Sequence, residues 1–89
     1  MQESIANQRG HLRMRRLRRA LCVFNNGTSS LDVTLRDISP SGARVEGDGL
    51  PFLPQTFELR IVEGDGRHFT RPVRIVWTKG RTAGLEFTA

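Results

Sequence analysis

Alternation of apolar and polar residues is the feature that most constrains the fold of this 89-residue chain. The run from 31 to 36, for example, alternates Leu, Val and Leu with Asp, Thr and Arg. A period of two places the apolar side chains on one face of a β-strand. Turn-forming residues separate such runs roughly every 8 to 12 residues. The pattern therefore predicts a chain built from short β-strands.

Six strands are expected, and no carboxy-terminal helix. The runs that predict them cover residues 21–24, 31–36, 43–46, 57–61, 69–78 and 85–87. A small all-β chain removes its exposed strand edges most completely by closing its sheet. We therefore predict an all-β fold, a small six-stranded antiparallel barrel.

Two connections between these strands carry their own signals. The Asn-Asn-Gly run at 25–27 predicts a hairpin, because Asn and Gly tolerate the positive φ angles of tight hairpin turns. The prolines at 51 and 54 predict a non-helical loop, in which Phe52 or Leu53 is expected to plug one end of the core.

The positive charge of the chain is concentrated at one end. The formal net charge is +5, and residues 1–19 hold six arginines and one glutamate, so this segment alone accounts for +5. The remaining eight basic and eight acidic residues cancel. We predict a flexible basic arm over 1–19 and a neutral barrel domain over 20–89. Such an arm is expected to bind an anionic partner.

The residues of common catalytic and metal sites are present without the spacing that those sites need. Asp37, Ser39 and His68 are the residue types of a nucleophilic triad, but the chain lacks a nucleophile elbow and an oxyanion-hole motif. His11, His68 and Cys22 lack metal-ligand spacing. We therefore expect neither an enzyme nor a metal or cofactor site.

Two further observations bear on location and partners. No run of 18 apolar residues occurs, and the lone Cys22 cannot form an internal disulfide, so a cytoplasmic protein is expected. Phe57, Phe69, Trp77 and Phe87 all fall on the parity predicted to face the core. Because no stacking platform would then be exposed, we do not expect this chain to bind nucleic acid.

The segment from Asp37 to Gly42 has the composition of a tight turn. Asp and Ser side chains hydrogen-bond nearby backbone N–H groups, Pro fixes one φ angle, and Gly permits close approach of other atoms. A tight bend between two strands explains these residues, and so does a ligand-binding turn.

Upstream of this turn, Arg15 and Arg19 are four residues apart in the arm. Guanidinium groups bind phosphate or the guanine edge in bidentate fashion and stack on bases.

An arginine pair four apart, then Asp-x-Ser-x-x-Gly at 37–42, then strands that end in Gly-Leu-Glu-Phe at 84–87, resembles the PilZ domain, a bacterial receptor for cyclic di-GMP. The resemblance implies a six-stranded barrel that holds the nucleotide outside, against the arm. Arg15 and Arg19 would grip phosphates and guanine edges, Asp37 and Ser39 would hydrogen-bond a guanine, and Gly42 would allow close backbone approach.

The arm also allows other registers of the arginine pair, in which Arg16 and Arg18 would contact the ligand. Arg44, which follows the turn, is a further candidate contact. The resemblance implies a cyclic di-GMP receptor whose arm changes conformation and signals to an effector protein that controls motility, attachment or exopolysaccharide. Two alternatives stay open: an adaptor of the same fold that binds protein and no nucleotide, and a small nucleic-acid-binding barrel.

Overall fold

The alternating runs form strands in the computed structural model, which describes residues 18–89. The strands are β1 (Arg18–Phe24), β2 (Ser29–Ile38), β3 (Gly42–Glu46), β4 (Thr56–Val62), β5 (His68–Lys79) and β6 (Thr82–Phe87). A short 3-10 helix, Leu50–Phe52, precedes β4. Arg18 and Arg19, which the charge pattern groups with the arm, are the first two residues of β1.

All six strands pair antiparallel in one closed barrel with the order β1-β2-β3-β6-β5-β4, and β4 pairs back onto β1. The predicted six-stranded antiparallel barrel is thus confirmed. No helix among the described residues is long and apolar enough to cross a membrane.

The barrel interior is filled by the apolar side chains of the alternating runs. The largest fully buried side chains are Leu35, Leu59, Ile61, Val45, Val73 and Cys22. They come from five of the six strands, and Ala83 and Leu85 of β6 are buried as well, so each strand contributes one face to a common core. Burial raises the pKa of the Cys22 thiol from its ordinary value of 9.0 to about 12, because the thiolate loses its hydration inside the barrel.

The predicted hairpin joins β1 to β2. Asn25 and Asn26 adopt φ angles of 55° and 56°, and the N–H of Gly27 donates to the carbonyl of Phe24 at 3.2 Å. The two asparagines therefore occupy the central positions of the turn, where positive φ is required.

The loop before β4 closes one end of the barrel differently from the expectation. Leu50 is buried, Leu53 packs against the core, and Phe52 is 82% exposed. Of the two residues expected to plug this end of the core, Leu53 contacts the core and Phe52 does not. The 3-10 turn explains the difference, because it points successive side chains in different directions and Leu50 takes the inward one.

Two β-bulges interrupt the alternation, one in β2 and one in β5. Leu35 pairs with Val45, but Asp37 already pairs with Arg44, so Arg36 is the extra residue. In the same way Val76 is the extra residue between Ile75 and Trp77 in β5. A bulge adds one residue to one strand and shifts the parity of the residues that follow. Asp37 and Trp77 consequently lie on the outer face of the barrel.

The bulge in β5 corrects the prediction for the aromatic residues. Phe57 is buried, but Trp77 is 44% exposed because the inserted Val76 moves it to the outer face. Phe69 keeps its inward parity opposite Ile61 and is nonetheless 39% exposed, because it lies near the start of β5, close to the barrel end. Two of the four aromatic residues assigned to the core are therefore accessible.

Candidate functional site

One cross-strand row on the outer face of the barrel joins four strands. Asp37 in β2 pairs with Arg44 in β3, Arg44 pairs with Gly84 in β6, and Gly84 pairs with Trp77 in β5. Directly opposed residues in neighbouring strands lie within about 5.5 Å of each other. The row therefore sets a carboxylate, a guanidinium and an indole side by side on the same face.

The charged half of the row is an ion pair. The guanidinium of Arg44 contacts the carboxylate of Asp37, whose side chain is only 12% exposed, whereas that of Arg44 is 43% exposed. The mostly buried carboxylate therefore holds the guanidinium in place. The guanidinium still has faces and N–H donors exposed to solvent. An arginine held in this way loses less conformational freedom when it binds a further anion or base.

The aromatic half of the row depends on the missing side chain of Gly84. A Cβ at that position would lie 2.2 Å from Nε1 of Trp77, so the indole rests on the glycine backbone. One side of the ring is thereby supported by the barrel, and the side chain is still 44% exposed. A supported, half-exposed indole is a suitable surface for a nucleobase to stack on.

The turn from Ser39 to Gly42 closes one end of the row. The N–H of Ser39 donates to the Gly42 carbonyl at 2.8 Å, and the Ser39 hydroxyl lies 3.4 Å from the Ser41 N–H and from the Gly42 carbonyl. The hydroxyl is on an exposed residue and these bonds are long, so it retains capacity for another partner.

Gly42 is required by a contact within the chain. A Cβ on this residue would lie 2.1 Å from the carbonyl oxygen of Leu85 in β6. The close approach that the sequence predicts at Gly42 is therefore an approach of two neighbouring strands. Contact between Gly42 and a ligand stays a prediction.

These residues line an open groove with a volume of about 460 Å³, within the range common for small-molecule sites. Its lining includes Asp37, Ser39, Arg44 and Trp77 together with Val76, which is 60% exposed. The groove thus combines an anionic group, a cationic group, a hydroxyl and an apolar aromatic floor. Such a combination suits a ligand that has both a base and phosphates.

Three arginines near the groove are engaged elsewhere. Arg18 donates to both carboxylate oxygens of Glu63 at 3.1 and 3.2 Å. Arg19 contacts Asp32 at 3.1 Å, and both side chains are exposed. Arg36, the bulge residue, contacts Glu46 at 2.7 Å. None of the three lines the groove, so the structure brings Asp37, Ser39, Gly42 and Arg44 together there without Arg18 or Arg19.

Arg15 and Arg16 lie outside the described residues. Their nearest described neighbour in sequence, Arg18, pairs with Leu35 in β2, two positions before Asp37. The chain that precedes β1 therefore joins the barrel close to the bulge that carries Asp37.

Trp77 is the site residue that the sequence pattern missed. Strict alternation assigned it to the core, yet three consecutive apolar residues, Ile75, Val76 and Trp77, break that alternation. Such a break together with Gly84 on the partner strand is the signal by which the bulge and the outward indole are recognisable.

Comparison with known proteins defines the class of this barrel. The family model of the PilZ domain matches residues 7–89. The chain therefore belongs to the PilZ domain family, whose members are generally cyclic di-GMP receptors or adaptor domains.

The crystal structure of the PilZ domain of CeSA from a cellulose synthesizing bacterium resembles the present fold, with a TM-score of 0.69. The two chains are 20% identical, and the match covers 88% of this chain and 81% of that one. At this identity the likeness concerns the fold. None of the curated proteins matches the chain.

Proposed function

We propose that this PilZ domain is a receptor for cyclic di-GMP and that the groove beside Asp37 is its binding site. The observation that carries the proposal is the row of Asp37, Arg44, Gly84 and Trp77 on one outer face. The groups in this row match the ligand: a guanine offers N–H donors, acceptor atoms and a flat ring, and each phosphate is an anion.

Each group has a defined part in the proposed complex. The Asp37 carboxylate accepts hydrogen bonds from the N1–H and N2–H groups of a guanine, with the Ser39 hydroxyl beside it. The exposed face of Trp77 stacks on the base, and Arg44 donates to a phosphate or to the O6/N7 edge. Because Arg44 already contacts Asp37, the ligand meets an ordered pair of charges.

The arm supplies the remaining positive charge in this proposal. Arg15 and Arg19 carry charges that neutralise the phosphates, and Arg19 exchanges its exposed contact with Asp32 for the ligand. An exposed ion pair is worth only about 0–1 kcal/mol, so this exchange costs little. The arm then packs on the barrel beside the ligand, and the altered surface is what an effector protein recognises.

Titration calorimetry of the full chain with cyclic di-GMP tests the proposal. Micromolar binding is expected, and Asp37→Ala should weaken it at least about tenfold, because a buried guanine donor pair loses its acceptor. Arg15→Ala with Arg19→Ala should have a similar effect. Arg67→Ala is the matched control, since its exposed contact with Asp65 lies in another turn. No binding by the native chain would overturn the proposal and favour the adaptor function.

A separate titration addresses nucleic acid. Trp77 and Phe69 are both accessible, but only Trp77 lines the groove. A single ring does not form a platform for successive bases. We therefore expect no binding of unrelated single-stranded oligonucleotides at about 0.15 M salt, where phosphate contacts alone are weak. Tight, salt-dependent oligonucleotide binding by the native chain would instead favour the nucleic-acid function.

A further inference from the structure

We propose that two copies of this chain associate through the end of the barrel that carries Phe52. The proposed interface consists of the hairpin at 25–28 and the loop at 49–56, hereafter the Phe52 end. This inference does not rest on nucleotide binding.

Phe52 is a rigid apolar projection. Its side chain is 82% exposed, the highest exposure among the large hydrophobic residues of the described chain. The 3-10 turn fixes its backbone, with its N–H donating to Gly49 at 2.9 Å, and Pro51 and Pro54 restrict the chain on either side. Buried Leu50 anchors the same turn to the core. A ring held out in this way loses little conformational freedom when it is covered.

A hollow of about 550 Å³ lies on the same end of the barrel. Phe24, Pro54 and Phe57 belong to the apolar part of its lining, the asparagines of the hairpin are an uncharged polar part, and Glu58 is the one charged residue among the described residues that line it. Each copy therefore offers both a projecting ring and a place to receive one. A patch that contains both complementary parts can pair with itself about a two-fold axis.

The distribution of charge favours a second copy at this end. No charged residue occurs over 24–31 or over 49–57, although charged residues make up 26% of the chain. The net charge of +5 resides in residues 1–19, which end with the first two residues of β1, and β1 runs from Arg18 toward this end. Two copies that meet through the Phe52 end therefore keep Arg18 and Arg19 of one copy away from those of the other, whereas contact near the start of β1 brings these like charges together.

A dimer formed through the Phe52 end leaves the groove beside Asp37 accessible. The turn at 39–41 follows the last residue of β2, whereas the hairpin at 25–28 precedes its first residue, so the two turns lie at opposite ends of that ten-residue strand. The dimer then presents two accessible grooves. Because the apolar surface that Phe52 and the hollow provide is small, we expect a weak, reversible dimer of the kind formed by interfaces below about 1,200 Å².

Sedimentation equilibrium of the full chain from about 10 μM to about 1 mM tests the inference. A reversible monomer–dimer equilibrium is expected, and Phe52→Ser should raise its dissociation constant at least about tenfold, as removal of a central aromatic contact does. Val76→Ser is the control, because Val76 is 60% exposed on the barrel wall. Added salt should leave the dimer unchanged or strengthen it, since it screens the repulsion of the arms.

Amide NMR spectra distinguish a variant that no longer dimerises from one that no longer folds. Amide NMR spectra recorded across the same concentrations should show shifts confined to the Phe52 end, and the spectrum of Phe52→Ser should match that of the dilute native chain elsewhere. A native chain that stays monomeric throughout, or a dimer that Val76→Ser dissociates and Phe52→Ser does not, overturns the proposal.

Discussion

Single residues decide what the outer face of this barrel can bind. Trp77 is accessible because Val76 is inserted before it and because Gly84 has no side chain to occupy the space under the indole. Asp37 is fixed because the bulge at Arg36 sets it opposite Arg44. Each of these two side chains thus owes its position to residues beside it in its own strand or in the neighbouring strand.

Trp77→Ala tests the stacking surface. If a guanine stacks on the indole, the dissociation constant for cyclic di-GMP should rise about 5- to 150-fold, which corresponds to about 1–3 kcal/mol per stacked base. Calorimetry measures the change. Phe69→Ala is the control, because Phe69 is also exposed, at 39%, but does not line the groove. Equal affinity of Trp77→Ala and the native chain would exclude stacking at this position.

Gly84→Ala is a companion to that variant. The new methyl group would meet the indole, whose side chain can move away, so the fold should persist while the ring leaves its position. Since the chain has one tryptophan and no tyrosine, its intrinsic fluorescence reports the displacement directly. An unchanged emission spectrum would contradict the close packing of the two residues.

At the scale of the strands, the close approach of β3 to β6 is the feature most sensitive to substitution. Gly42→Ala would place a methyl carbon 2.1 Å from the backbone oxygen of Leu85, and backbone in a closed barrel yields less easily than a side chain. We expect a loss of about 1–3 kcal/mol in the free energy of unfolding. Denaturant titration measures this loss.

The matched control for Gly42→Ala is Gly64→Ala. A Cβ at Gly64 meets no atom within 4 Å, and its φ angle is not in the left-handed region. The free energy of unfolding should therefore change by less than about 0.5 kcal/mol. Equal effects of the two substitutions would show that the approach of β3 to β6 is not what requires a glycine.

The strands were predictable from the alternation of apolar and polar residues, whereas alternation alone does not locate the bulges. Alternation depends on which residues a strand carries, and it is visible over the run from 31 to 36 and again from 57 to 61. A bulge depends on the register that two strands adopt when the barrel closes, which is a long-range property. Alternation consequently located the core residues of β2 and β4 and assigned Trp77 to the wrong face.

In the candidate site too, the features set by local sequence were predictable and those set by long-range strand pairing were not. Asp37 and Ser39 were identifiable because turn residues at a fixed spacing form a local pattern. The partnership of Asp37 with Arg44 requires knowing that β2 pairs with β3 beyond a bulge. The support of Trp77 by Gly84 requires knowing that β5 pairs with β6 in a shifted register.

At the scale of the whole molecule, the buried thiol of Cys22 links stability to pH. Burial raises its pKa from 9.0 to about 12, so the folded chain keeps a proton that the unfolded chain releases first. The corresponding stability is fully present below pH 9 and is lost as the pH rises toward 12. Denaturant titrations across this window should show a decline in the free energy of unfolding.

Cys22→Val is the comparison for that measurement. It replaces the thiol with an apolar side chain that does not titrate, and the chain has no tyrosine to titrate in the same window. The decline between pH 9 and 12 should therefore be smaller in the variant than in the native chain. Identical pH profiles would show that the thiol ionises equally in the folded and unfolded chains.

The strand order has a consequence for the chain as it leaves the ribosome. β6 is the last strand in sequence, yet it lies between β3 and β5, so the sheet stays open until residues 82–87 are available. Gly84 of that strand connects Arg44 to Trp77. A nascent chain that stops before β6 therefore lacks the groove, and the row from Asp37 to Trp77 is completed only when β6 joins the sheet.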